Sequence, residues 1–167
     1  MTEGFEVRRR PEDGNQPIQA SPGAVDASVA LLSDVSSAAV ATVLDRLGVR
    51  RSFIRGPVPR RPGAHIAAPV VTLQFMPIRE DLLKPLPGEE EEALTRKTAL
   101  WAVMDVVGDG DVLLVAADGD RETGCLGEML ITYLEVRGAS GLIVDGCIRD
   151  WPQVQALDLP VWTTGLT

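Results

Sequence analysis

The chain has 167 residues, of which 45% are hydrophobic and 24% charged, the profile of one soluble globular domain able to bury its own core. Its formal charge of -8 excludes a general nucleic-acid binder, because a phosphate backbone calls for the opposite balance. The apolar runs, such as 112–117, are of strand length and too short to span a membrane, and the N-terminal stretch MTEGFEVRRRPEDGNQ lacks the apolar core of a secretory signal. These features point to the cytoplasm. His65 is the one histidine, and Cys125 and Cys147 are the two cysteines. A His-rich metal site, a zinc site and a disulfide scaffold are thereby excluded, and Ser–His–Asp catalysis is disfavoured.

Residues 1–24 carry charge, Gly, Pro and Asn with little apolar periodicity, and the composition predicts a mobile arm ahead of a domain covering 25–167. Arg8, Arg9 and Arg10 belong to this arm as a solvated basic cluster. Over 26–47, Val29, Leu32, Val35, Val40, Val43, Leu44 and Leu47 recur at helical spacing. Ser33 and Ser36 are N-cap candidates and Gly48 a C-terminal stop, so two short helices are predicted, the second being SSAAVATVLDRLG. Residues 50–62 read as loop. HIAAPVVTLQF reads as a strand with Pro69 at a bulge or edge. MPIREDLLKPLPG looks irregular, and the acidic run 89–92 opens a helix that reaches about Met104.

The next segments are the most informative. GDGDVLLVAADGD predicts a turn, a buried strand over 112–117 and another turn; GEMLITYLEVRG predicts a helix over 127–137 closed by Gly138; GLIVDG predicts a second buried strand, after which CIRDWPQV opens a loop and helix. Strand, helix and strand with short connections make a βαβ unit with parallel strands and a right-handed crossover. The stretches after the two strands, 118–126 and 145–150, then meet at the carboxyl end of the sheet, where open α/β sheets bind ligands. Gly124 and Gly127 permit close backbone approach. The first amides of the following helix, at Glu128, Met129 and Leu130, face an incoming anion. Arg149 offers a planar fork for a carboxylate, and Asp150 and Glu128 are hard oxygen ligands suited to magnesium or manganese. That combination suits a small 2-oxo acid.

Other residues here carry plainer readings. Cys147 reads as a small packed residue, and Cys125 lacks a nearby histidine to activate its thiol. Trp151 and Trp162 read as packing residues. Asp118, Asp120, Arg121 and Glu122 read as turn residues, with Arg121 able to line an entrance.

GEML at 127–130, GASGLIVDGCIRD at 138–150 and GDGDVLLV at 108–115 resemble the signature of 4-hydroxy-4-methyl-2-oxoglutarate aldolases and the related regulators of ribonuclease activity A. SSAAVATVLDRLG and PVWTTGLT resemble the flanking helix and strand of that family, so the resemblance runs over 36–167. It implies an α/β domain of the swivelling β/β/α type, usually a homotrimer with sites at subunit boundaries. It further implies that backbone groups of Gly127, Glu128, Met129 and Leu130 bind the pyruvyl end of a 2-oxo acid and that Arg149 holds its carboxylate or keto oxygen. Asp150 would bind a divalent metal, magnesium or manganese, and Glu128 would contact metal-bound water. The activity implied is metal-dependent aldol cleavage to pyruvate, with oxaloacetate decarboxylation as a companion; the alternative is a non-catalytic regulator that masks a ribonuclease or another protein. The sequence departs from the pattern in placing Glu128 where Asp is common, and in ending at Thr167 where relatives run on into further strands that close the sheet.

Overall fold

The computed structural model describes residues 22–76 and 99–167. Residues 1–21 of the arm predicted over 1–24, all but Met76 of the irregular stretch 76–88, and 89–98 of the helix opened by the acidic run lie outside them. Two helices come first, α1 (Pro22–Leu32) and α2 (Ser37–Arg46). Ser36 is the N-cap of α2: its hydroxyl accepts the Ala39 N–H at 3.2 Å, and Gly48 follows the helix at φ +86. Ser33 is not a cap. Its hydroxyl donates back to the Val29 carbonyl at 2.8 Å in the last turn of α1, which itself starts at Pro22, inside the span expected to be a mobile arm.

The 50–62 stretch, expected to be all loop, contains the short strand β1 (Val58–Pro59), and β2 is Val70–Gln74. Pro69 stands just ahead of β2 instead of inside a strand, so its missing N–H costs no ladder bond while its carbonyl accepts from Val112 N at 2.8 Å. α3 (Ala99–Val106), β3 (Val112–Leu126), α4 (Glu128–Val136), β4 (Gly141–Ile148), α5 (Trp151–Val154) and β5 (Val161–Leu166) complete the described chain. The strands form one sheet in the order β1-β5-β4-β3-β2; β2 to β5 run parallel and β1 pairs antiparallel with β5.

One core unites the helices with one face of the sheet. Leu73, Leu113, Val115, Leu142, Val144 and Val161 alternate along their strands toward it, and Val103, Met104, Ile131, Leu134 and Val154 fill it from α3, α4 and α5. Each fully buried side chain of this size stabilises by roughly 1.5–3 kcal/mol. α1 and α2 contribute little to that sum. Leu32, Val43 and Leu47 are 42%, 53% and 74% exposed, although their helical spacing had suggested burial. Among the described residues, no single helix is long and apolar enough to cross a membrane.

The predicted βαβ unit is β3–α4–β4, with one correction. The turn expected after residue 117 does not end the strand: β3 continues to Leu126, with register shifts against β4 after Ala116, Asp120 and Gly124. Bulges of this kind satisfy both descriptions, since the chain bends as a turn does while keeping its ladder. α4 closes with Gly138 at φ +81, where Gly138 N bonds Glu135 O at 2.9 Å and Ala139 N bonds Leu134 O at 3.0 Å, the paired pattern of a glycine-terminated helix. A Cβ at residue 138 would also run into Asp109 Oδ1. Gly138→Ala should therefore destabilise the domain by about 1–2 kcal/mol, measurable as a lower urea midpoint with an unchanged slope.

Candidate functional site

The site begins where β3 ends. Gly127 is the N-cap of α4 and has no side chain to cap it, so the first helical amides need an outside acceptor. Asp150 supplies one: its Oδ2 accepts the Glu128 N–H at 3.2 Å. Arg149 Nε lies 3.7 Å from the same oxygen. Two segments distant in sequence are thus joined at the carboxyl end of β3 and β4, as the βαβ reading required. Gly127, Glu128, Arg149 and Asp150 are brought together. Met129 and Leu130 stand in the first turn of α4 beside them, where helical geometry supplies no acceptor for their amides.

Glycine makes this closeness possible. A Cβ on Gly127 would overlap Asp150 Oδ2 and lie 2.8 Å from Arg149 Nε. A Cβ on Gly124 would lie 2.8 Å from Arg149 Cβ and 2.7 Å from Thr167 Oγ1. Asp150 itself sits at φ 60, ψ 36, ahead of the short α5. The left-handed region is uncommon for a residue with a Cβ, and Asp is one of the few that tolerate it. Such conformations gather at functional sites, and here the turn aims the Asp150 carboxylate back at α4.

The pair is open to solvent, with the side chains of Arg149 and Asp150 63% and 47% exposed and Met129 70% exposed. A cavity of about 270 Å³ lies between the end of β2 and the middle of β3 and β4, lined by Gln74, Phe75, Met76, Ala116, Asp118 and Asp145. None of the predicted site residues lines it.

The scaffold beneath the site includes one residue that no motif revealed. Thr163 is fully buried, and its hydroxyl donates to the Gly146 carbonyl at 2.6 Å. It sits where the β4–β5 register breaks between Val144 and Cys147, so it closes the irregular stretch of β4 that leads to Arg149. The irregularity is a property of strand pairing and leaves no local trace in composition.

The neighbouring groups keep their plainer readings. Burial, and then the charge of Asp120, raises the pKa of the half-buried Cys125 thiol, the opposite of nucleophile activation. Cys147 is buried. Trp151 packs against the core. The Asp120 carboxyl is held below its ordinary value first by the Glu122 amide and then by Thr123; Oδ1 accepts those amides at 2.8 and 3.2 Å.

Gly127→Ala tests the geometry directly. Its Cβ meets the outer atoms of two exposed side chains, so the loss should fall on the Arg149–Asp150 arrangement and not on the core. We expect protection of the Glu128 amide in hydrogen exchange to drop about tenfold, while the melting temperature falls by no more than about 4 °C.

A protein of Halalkalibacterium halodurans with the provisional name 4-hydroxy-4-methyl-2-oxoglutarate aldolase is 32% identical over 69 residues, covering 41% of this chain and 33% of its own length. A protein of Hahella chejuensis with the same provisional name is 36% identical over 62 residues, covering 37% of this chain and 38% of its own. The crystal structure of Streptomyces coelicolor RraAS2, described as an unusual member of the RNase ES inhibitor RraA protein family, superimposes with a TM-score of 0.73 at 45% identity, over 84% of this chain and 64% of that one. The chain thus spans about two thirds of its solved relative, and the matched segments cover little more than a third of the curated ones. The RraA-like family model, described as Aldolase/RraA, matches residues 29–167, and with its α/β fold in common with RraAS2 the chain belongs to this family.

Proposed function

We propose that the protein is a divalent-metal-dependent lyase that cleaves a 4-hydroxy-2-oxo acid, such as 4-hydroxy-4-methyl-2-oxoglutarate, to pyruvate. The observation that carries this reading is the convergence of Arg149, Asp150 and Glu128 on the start of α4. The aldolase names of the relatives support the lyase class.

The donor set bears on which metal would fit. Among the described residues, no group of three or more His, Cys, Asp or Glu side chains could hold an ion, so a closed protein cage of the structural zinc type does not fit. Magnesium and manganese are commonly held by one or two carboxylates together with substrate oxygens and water. Asp150 fits that pattern: Oδ2 is tied to the Glu128 amide, which orients the carboxylate, and the side chain remains open to solvent. Glu128 is exposed beside it. When bound there, the cation supplies Lewis acidity toward the 2-keto oxygen.

The chain's own groups do the rest. Arg149 binds the 1-carboxylate through its guanidinium fork, and the Met129 and Leu130 amides at the positive end of α4 add donors to the same end of the substrate. Glu128, through water, takes the proton of the 4-hydroxyl. The C3–C4 bond then breaks, its electron pair passes to C3 and is delocalised toward the 2-keto oxygen, and the C4 fragment leaves as a carbonyl compound. Protonation at C3 gives pyruvate. Oxaloacetate yields the same C3 carbanion by losing its distal carboxylate as carbon dioxide, so decarboxylation accompanies the aldol reaction. The openness of the site suits assembly in which a neighbouring subunit walls it, and a homotrimer is the assembly proposed.

A second reading has its own support, the RNase ES inhibitor family named for the relative at 45% identity. In it the exposed Leu31, Leu47 and Phe53 belong to a protein-binding face, and the chain regulates a ribonuclease without catalysis.

A coupled pyruvate assay separates the two. With magnesium, the protein should release pyruvate from oxaloacetate and from 4-hydroxy-4-methyl-2-oxoglutarate, and chelator should abolish it. Arg149→Ala should lower turnover by about 10²–10³-fold with an unchanged circular dichroism spectrum. Full activity in that variant refutes the role given to Arg149; ribonuclease capture without any pyruvate release favours the regulator.

A further inference from the structure

The segment that carries Asp150 is fastened to α4 at both ends. At the near end, the Glu128 N–H donates to Asp150 Oδ2 at 3.2 Å. At the far end, Glu135 Oε1 accepts the Asp158 and Leu159 amides, the latter at 3.0 Å. Glu128 and Glu135 both belong to α4 and stand seven positions apart, which places them on one face of the helix about 10 Å apart along its axis. The stretch 150–159 therefore lies along α4 as a strap with an amide–carboxylate tie at each end. Between the ties, Val154 is buried in the core, and Trp151 and Leu157 pack against it.

This strap has little stiffness of its own. α5 covers only Trp151–Val154, too short to be stable without outside contacts. Asp150 ahead of it holds the left-handed conformation at φ 60, which persists only where the surroundings enforce it. A charged oxygen that receives two amides is a strong tie. Arg61 adds only longer bonds, to the Gln155 and Asp158 carbonyls at 3.3 and 3.4 Å. We propose that Glu135 is a positioning residue for the candidate site: by holding Asp158 and Leu159 on α4, it fixes where the Asp150 carboxylate stands at the other end of the strap. It acts through Asp150, two helical turns away. Its bearing on metal binding rests on the lyase reading; the positioning itself does not.

Three substitutions in the whole protein test this. Glu135→Ala removes the acceptor, Glu135→Asp withdraws it by one methylene, and Glu135→Gln keeps an uncharged acceptor in place. Hydrogen exchange without added metal reads the position of Asp150 through its bond to the Glu128 amide. Protection of that amide should fall about tenfold in Glu135→Ala, by less in Glu135→Asp, and hardly at all in Glu135→Gln. The Val112 amide, bonded to the Pro69 carbonyl at 2.8 Å in the sheet, should keep its protection in all three. In the pyruvate assay on oxaloacetate, the half-saturating magnesium concentration should rise about tenfold to a hundredfold in Glu135→Ala and stay close to the wild-type value in Glu135→Gln. Unchanged protection at Glu128, an equal loss at Val112, or a Glu135→Gln protein as impaired as Glu135→Ala overturns the proposal. If Glu135→Ala does not fold, Glu135→Asp against Glu135→Gln decides it on the same two amides. A wild-type protein that releases no pyruvate overturns the lyase reading alone, because the exchange measurement still decides the role of Glu135.

Discussion

The bond from the Glu128 amide to the Asp150 carboxylate is the contact on which the candidate site depends. It links the first turn of α4 to the turn that follows β4, and both segments are placed by the same parallel pairing of β3 with β4. The bond forms because Gly127 has no side chain: any Cβ there would occupy the space of the Asp150 oxygen and crowd Arg149. A helix start without a capping side chain is normally a weakness. Here one of the unsatisfied amides, that of Glu128, is met by a residue twenty-two positions away, and a structural need of the helix orients the groups proposed for chemistry.

The strands beneath tolerate considerable irregularity to deliver this. β3 is bulged three times against β4, and β4 breaks register with β5 between Val144 and Cys147. Each break rotates or advances the chain relative to its neighbour, and two of them have a compensating contact: Asp120 gathers loose amides in the loop, and Thr163 fills the acceptor left at Gly146. The buried side chains of β3, β4, α3 and α4 form a continuous core. It reaches the candidate site itself, since Leu126 and Ile148, which directly precede Gly127 and Arg149, are buried in it.

The N-terminal region follows a different rule. α1 and α2 form with good local signals, including the Ser36 cap and the Gly48 stop, yet large apolar side chains on and beside them face outward. Their apolar spacing meets helix geometry without meeting the core.

What the sequence by itself determined was local. The period of the apolar residues gave α4 and β4 their places, the resemblance of PVWTTGLT to a family strand gave β5, glycine at 138 marked a helix end, and the strand–helix–strand order pointed to one βαβ unit and one shared end of the sheet. Such signals are legible because they arise from neighbours within a few residues, through backbone dihedrals and side-chain periodicity. The tertiary structure alone decided that β3 runs on through its bulges to Leu126, that Thr163 is buried beneath a register break, and that the Asp150 carboxylate closes on the Glu128 amide. These depend on which strand lies beside which and in what register, and on whether a side chain meets empty space or another atom. That information belongs to pairs of residues far apart in the chain, and no local pattern carries it.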